Sequence, residues 1–262
     1  MNYTPSLEYV VTGSYKSAYH SKINYFSRND DDRYGFSGQI FRSHQPRYKA
    51  VHQESQYSSN PKYNMPAYAA SHSFTPNIFL NPSRPKSRIV VDNSDARKIA
   101  EEIFELMMDE KMPEGFSINV LPLAEFRSAH SRFGLWNNGI LGFSINGNKK
   151  EIFVREMNLD EMMLVIGHEI GHVLTKTLPN KHDEEAKAFA FSIKWAETIK
   201  KHNVANLGMS IKDELDMNPA RNGLHDVAFS FVSLMLKKGR TAIEVHQDLA
   251  KKYISMFNGN YV

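Results

Sequence analysis

From residue 89 onward the apolar positions of the chain fall into short periodic runs. Residues 89–91 lead to Ser94, a predicted N-cap, and then to a helix with Ile99, Ala100, Ile103, Phe104 and Met107 on one face. Pro113 and Gly115 should end that helix. Residues 116–123 and 140–145 alternate as half-buried strands do, and the Asn146-Gly147-Asn148 turn followed by residues 151–155 predicts a hairpin. A small antiparallel sheet is therefore expected.

Asn158 and Glu161 then spell a capping box, opening a helix that should run to about Leu178, where Pro179-Asn180 stops it. A second helix reads over residues 183–202. Advancing about 100° per residue puts Lys187, Lys194 and Lys201 on a solvated face, with Asp183 beside them. Phe189, Ser192, Ile193, Ala196 and Ile199 define the opposite face, with Glu185 at its centre and Glu184 toward one margin. An apolar helix over residues 227–236, closed by Gly239, and a second capping box at Thr241 and Glu244 complete a helical carboxyl half. The fold class is α+β.

Composition divides the chain. Residues 1–88 hold 11 Lys/Arg against 5 Asp/Glu and ten of the 12 tyrosines, with repeated prolines and little periodicity. They read as a basic, tyrosine-rich, largely irregular extension, and residues 89–262 as the folded domain. Three roles fit the extension: an arm wrapped over the domain, a binding arm for nucleic acid, or a pro-segment covering a site. No apolar run approaches the roughly 20 residues of a membrane helix, and the amino terminus lacks the pattern of a secretory signal. No membrane association and a cytoplasmic location are expected. Cysteine is absent, so any metal must be held by His, Asp or Glu.

His168 and His172, four residues apart in mid-helix, project from the same side one turn above the other. Two imidazoles so placed can share one Zn2+ ion, while Glu169 between them points at a water on the metal. Zinc lowers the pKa of that water toward about 7 and polarises a carbonyl. A carboxylate beside it can take its proton and pass it to a leaving amine. A carboxylate at the centre of an apolar stripe is costly unless it is paired or metal-bound, which singles out Glu185 as third ligand, with His182 as its rival. Gly167 and Gly171 would let a neighbouring element approach closely. His130, His202 and His246 read as surface or core residues, as do His20, His44, His52 and His72.

HEIGH followed by EEAKAFA resembles the HExxH zinc metallopeptidases of the gluzincin kind, and within them the ImmA/IrrE-like proteins, over about residues 117–197. The resemblance implies His168, His172 and Glu185 as metal ligands and Glu169 as general base. It also implies a tight turn between the two helices, because only 12 residues separate His172 from Glu185. In several gluzincins a histidine after an Asn-Gly turn stabilises the oxyanion, and His225, after Asn222-Gly223, resembles that placement. A metzincin is excluded by Thr175 and Leu178, which stand where that group needs glycine and a third histidine. The expected function is a zinc-dependent metallopeptidase acting on protein or peptide substrates. The alternative is a regulatory or nucleic-acid-binding protein that keeps the zinc helix as a scaffold and acts through its basic arm.

Overall fold

A computed structural model describes residues 74–213 and 224–257. In chain order the elements are β1 (Ile89–Val90), α1 (Asn93–Met108), β2 (Phe116–Leu121), α2 (Leu123–His130), β3 (Gly142–Asn146), β4 (Lys150–Arg155), β5 (Met157–Asn158), α3 (Leu159–Val173), α4 (Lys181–His202), α5 (Leu224–Lys237) and α6 (Ala242–Ala250). The architecture is mixed α+β. Among the described residues no helix is long and apolar enough to cross a membrane.

The hairpin forms where expected, with Asn146 opposite Lys150 and Gly142 opposite Val154. The sheet is not antiparallel throughout, however. β2 pairs with β4 in parallel, from Phe116 opposite Lys150 to Leu121 opposite Arg155, and the strand order is β2-β4-β3. A hairpin is set by its own turn, whereas a parallel neighbour needs a long crossover. That crossover runs through α2, which has only Phe126 and His130 buried and so little apolar stripe to read in advance.

One face of the sheet, through Phe116, Ile118, Val120, Ile152 and Val154, joins the main core with α1, α3 and α4. The other face, through Phe143 and Phe153, packs a smaller cluster with Phe126 of α2. Every residue of α3 is buried, the signature of a helix with neighbours on all sides. It ends at Val173, earlier than expected.

The start of α3 is not closed by its own capping box. Asn158 occupies the N-cap position without a side-chain bond. Instead the Leu159 amide donates to the Arg88 carbonyl (2.8 Å) and the Asp160 amide to Ser87 Oγ (3.1 Å). Arg84 pairs with Asp160 (2.5 Å) and Glu161 (3.2 Å). Phe74, Phe79 and Leu80 are buried in the main core. Residues 74–88, grouped by composition with the extension, thus pack as part of the domain. The rest of the basic arm lies outside the described residues, as do His20, His44, His52, His72 and the Asn222-Gly223 turn.

Candidate metal centre

α3 and α4 are tied together by close backbone contact. A Cβ on Gly167 would lie 2.5 Å from the Trp195 ring, and one on Gly171 would lie 2.8 Å from Ala188 Cα. Asn180 caps α4 by accepting from the His182 amide (2.9 Å) and the Asp183 amide (3.4 Å). These contacts bring the histidines of α3 opposite the first turns of α4.

His168 Nε2 and His172 Nε2 lie 3.2 Å apart, and Glu185 Oε2 lies 3.6 Å from the first and 3.8 Å from the second. Tetrahedral zinc with bonds of about 2.0–2.1 Å places its ligand atoms roughly 3.3 Å apart. The expected triad of His168, His172 and Glu185 therefore has a spacing close to that of ligand atoms around one metal ion. Glu185 Oε2 is buried among these imidazoles.

His225 reaches the same place. Its Nδ1 lies 3.1 Å from Glu185 Oε2, and its ring lies 5.9 Å from the His168 ring, centroid to centroid. His168, Glu185 and His225 form a group that could hold a metal ion, with ligand atoms within 4.8 Å of one another. The two triads share His168 and Glu185. The one containing His172 has both of its imidazoles held by neighbours at Nδ1. His182, the rival third ligand, sits instead at the start of α4 with its ring against Phe257.

The aiming comes from bonds at the far ring nitrogens. Ser192 Oγ spends its hydrogen on the Ala188 carbonyl (2.8 Å) and so accepts from His168 Nδ1 (3.2 Å). His172 Nδ1 donates to Glu184 Oε1 (2.9 Å). With a hydrogen on each Nδ1, a ring in its neutral form carries its lone pair on Nε2, and the two Nε2 atoms face each other and Glu185. A cation among these atoms, or a proton on His172 Nε2 donated to His168 Nε2, relieves the repulsion between their lone pairs. Phe74 stacks on the His168 ring at 4.2 Å and closes that side.

Electrostatics separate the two imidazoles. Burial pushes His168 down to about 3, with Glu185 opposing the shift, so the ring is neutral at physiological pH. Burial also depresses His172, but the carboxylates of Glu185 and Glu184 outweigh it and raise this ring above the ordinary value. Burial alone would raise Glu185; His225, His172 and His168 reverse that and hold it well below the usual carboxylate range.

Glu169 faces the sheet side of the centre. It is fully buried, and its Oε2 accepts from Ser144 Oγ of β3 (2.8 Å). A Cβ on Gly142 would fall 2.5 Å from Val165 and 3.4 Å from Glu169 Cγ, so glycine there makes room beside this carboxylate.

Three residues of α4 differ from their expected placement. Glu184, placed toward one margin of the apolar face, holds His172. Lys187, assigned to a solvated face, is fully buried, with Nζ 2.9 Å from Glu184 Oε2. Asp183, also assigned to that face, is buried and accepts from Ser255 Oγ and the Met256 amide, both at 2.8 Å. The first half of α4 is enclosed by α3, α5 and α6, so it lacks the solvent face that a helical-wheel reading presumes.

His246 of α6 is buried, and its Nδ1 donates to the Lys187 carbonyl (3.0 Å), while Nε2 has no hydrogen-bond partner among the described residues. Burial lowers its pKa to about 4 from 6.5. Between those values the unfolded chain binds a proton that the folded chain refuses. The stability this histidine confers is therefore full above about pH 6.5 and is lost as pH falls toward 4, on the order of 3 kcal/mol. Urea unfolding of metal-free protein at pH 7.5 and 4.5 should show a smaller acid loss for His246→Leu than for wild type. Equal losses would contradict the assignment.

Comparison with protein-family models, with curated proteins and with solved structures finds no match for this chain.

Proposed function

We propose that the chain is a zinc-dependent metallopeptidase of the gluzincin kind, similar to the ImmA/IrrE-like proteins, that hydrolyses peptide bonds in protein or peptide substrates. The observation that carries this reading is the convergence of His168 Nε2, His172 Nε2 and Glu185 Oε2 at 3.2–3.8 Å, with both imidazoles turned inward by bonds at Nδ1. These three residues would hold the ion. Zinc, when bound, would act as a Lewis acid on the substrate carbonyl and bring the pKa of a water toward neutrality.

The remaining work falls to the chain's own groups. Glu169 takes a proton from the attacking water at its carboxylate and passes it to the leaving amine. The Ser144 hydroxyl fixes the direction of that carboxylate through Oε2. His225 stands beside the ligand carboxylate at 3.1 Å, on an element separate from α3 and α4, where a donor can meet negative charge developing on the carbonyl oxygen. Glu169 is one residue from a ligand yet turned toward β3, a division of labour that suits a base rather than a fourth ligand.

The test is Glu169→Gln in the full chain. Zinc content should stay at one equivalent, while cleavage of a quenched-fluorescent peptide library falls by about 10²–10⁴-fold. Unchanged cleavage would remove Glu169 from the chemistry, and absence of cleavage in the zinc-loaded wild type would favour the scaffold reading.

A further inference from the structure

We infer that Glu184 and Lys187 act as one positioning unit for the metal centre, in which a buried ammonium anchors the carboxylate that aims His172. The inference rests on the zinc reading above and adds two residues to it.

Lys187 is the only lysine or arginine that is buried among the described residues. Its Nζ touches Glu184 Oε2 at 2.9 Å, the His172 carbonyl at 3.2 Å and the Lys176 carbonyl at 3.3 Å. It therefore grips the end of α3, where a cation meets the negative pole of the helix, and the first turn of α4 together. Glu184 in turn accepts from His172 Nδ1 (2.9 Å), the Leu178 amide (2.7 Å) and Lys187. The carboxylate thus has each oxygen committed, and His172 can rotate only by breaking a bond held in place from three directions.

Stability alone does not account for such a pair. Taking two charges out of water costs several kcal/mol per ion, and apolar residues of like volume often serve the fold as well or better. A neutral group already anchors the segment just past α3: Asn146 Nδ2 donates to the Thr175 carbonyl (2.9 Å) and to Thr177 Oγ1 (3.1 Å). What the pair adds is direction: it carries no net charge, but it fixes the carboxylate that holds His172 Nδ1. Glu169, Glu184 and Glu185 are all buried, and Lys187 is the one ammonium buried with them. Because Glu184 and Lys187 cancel, Glu169 and Glu185 leave two negative charges beside the centre, the amount that a divalent cation neutralises.

The charge-conserving double variant Glu184→Gln/Lys187→Met separates positioning from simple attraction, because it removes one charge of each sign. A glutamine at 184 has a single acceptor oxygen for the two donors His172 Nδ1 and Leu178 N. Metal-free stability in urea should stay close to wild type, while zinc affinity, measured by chelator competition on the full chain, should fall about 10–100-fold. The visible spectrum of the cobalt-substituted protein should change with it.

Zinc affinity within twofold of wild type, with an unchanged cobalt spectrum, would overturn the positioning role and leave the metallopeptidase reading standing. A wild-type chain that binds no zinc would overturn both. Should the double variant not fold, nitrogen-15 NMR of the zinc-loaded wild type decides. Coordination of His172 through Nε2, with protected His172 Nδ1–H and Lys187 ammonium signals, supports the unit. Coordination through Nδ1, or rapid exchange of either signal, overturns it.

Discussion

Replacing Glu185 with alanine is expected to weaken zinc binding by roughly 10²–10³-fold and to take hydrolysis down with it. The magnitude follows from about 10–16 kcal/mol of zinc-binding free energy shared among about four ligands. Glu185 Oε2 is the one atom near all three imidazoles, at 3.6 Å from His168, 3.8 Å from His172 and 3.1 Å from His225. Its removal leaves three imidazoles facing one another with no anion among them. Glu197→Ala, on the same helix but more than half exposed, should change neither zinc affinity nor cleavage. The check is chelator competition on both variants. Glu185→Ala with wild-type affinity would mean that the carboxylate is an ion-pair partner of the histidines and not a ligand.

Gly171→Ala is the second large effect expected, and two opposing terms set its sign. Alanine is worth about 1 kcal/mol over glycine inside a helix. Against this, the new Cβ would lie 2.8 Å from Ala188 Cα, 3.0 Å from the Ala188 carbonyl oxygen and 3.0 Å from Phe191 Cβ. Two of these neighbours are backbone atoms and cannot swing aside, so α3 and α4 must separate, at a cost of about 1–3 kcal/mol or more. With two backbone neighbours the cost falls at the upper end of that range, so the repulsive term wins and a net loss of up to about 2 kcal/mol in urea unfolding is expected. The separation also pulls His172, the next residue, away from Glu185, so zinc affinity should fall in parallel. Gly115→Ala, where a Cβ meets nothing within 4 Å, serves as the control and should shift stability by no more than about 0.5 kcal/mol. A Gly171→Ala protein as stable and as tight for zinc as wild type would show that the helix spacing is slack.

What could be read from the sequence was what local rules determine. The two histidines share a side of α3 because of their four-residue spacing, and the 146–148 turn makes its hairpin by itself. Thr241 and Glu244 form their capping box in full. Gly167 and Gly171 make the close approaches expected of them. Glu185 emerged from a helical wheel because the stripe it centres does face the interior. The same wheel holds at Lys201, which is exposed, and fails at Lys187, because the early turns of α4 are covered on every side.

The remaining departures share a cause: the partner lies far away in the chain. The capping box at Asn158 looked complete, yet Arg88 and Ser87 take over its amides from the other side of α1 and the sheet. Arg84 meets Asp160 across 76 positions, a pairing that no local pattern announces. β2 lies parallel to β4 only because α2 carries the chain across. A charged residue inside a helix whose neighbours are unknown cannot be assigned to solvent by phase alone, and Glu184 and Lys187 were hidden in that way. Their one signal was proximity: an acid and a lysine three apart, flanking Glu185.

The most direct measurement is metal analysis of the purified full chain combined with X-ray absorption at the zinc edge. One zinc per chain, with a shell of nitrogen and oxygen near 2.0–2.1 Å that includes two imidazoles, is the expected result. Less than stoichiometric zinc after incubation with excess metal, or a shell unchanged when His168, His172 and Glu185 are replaced, would contradict it.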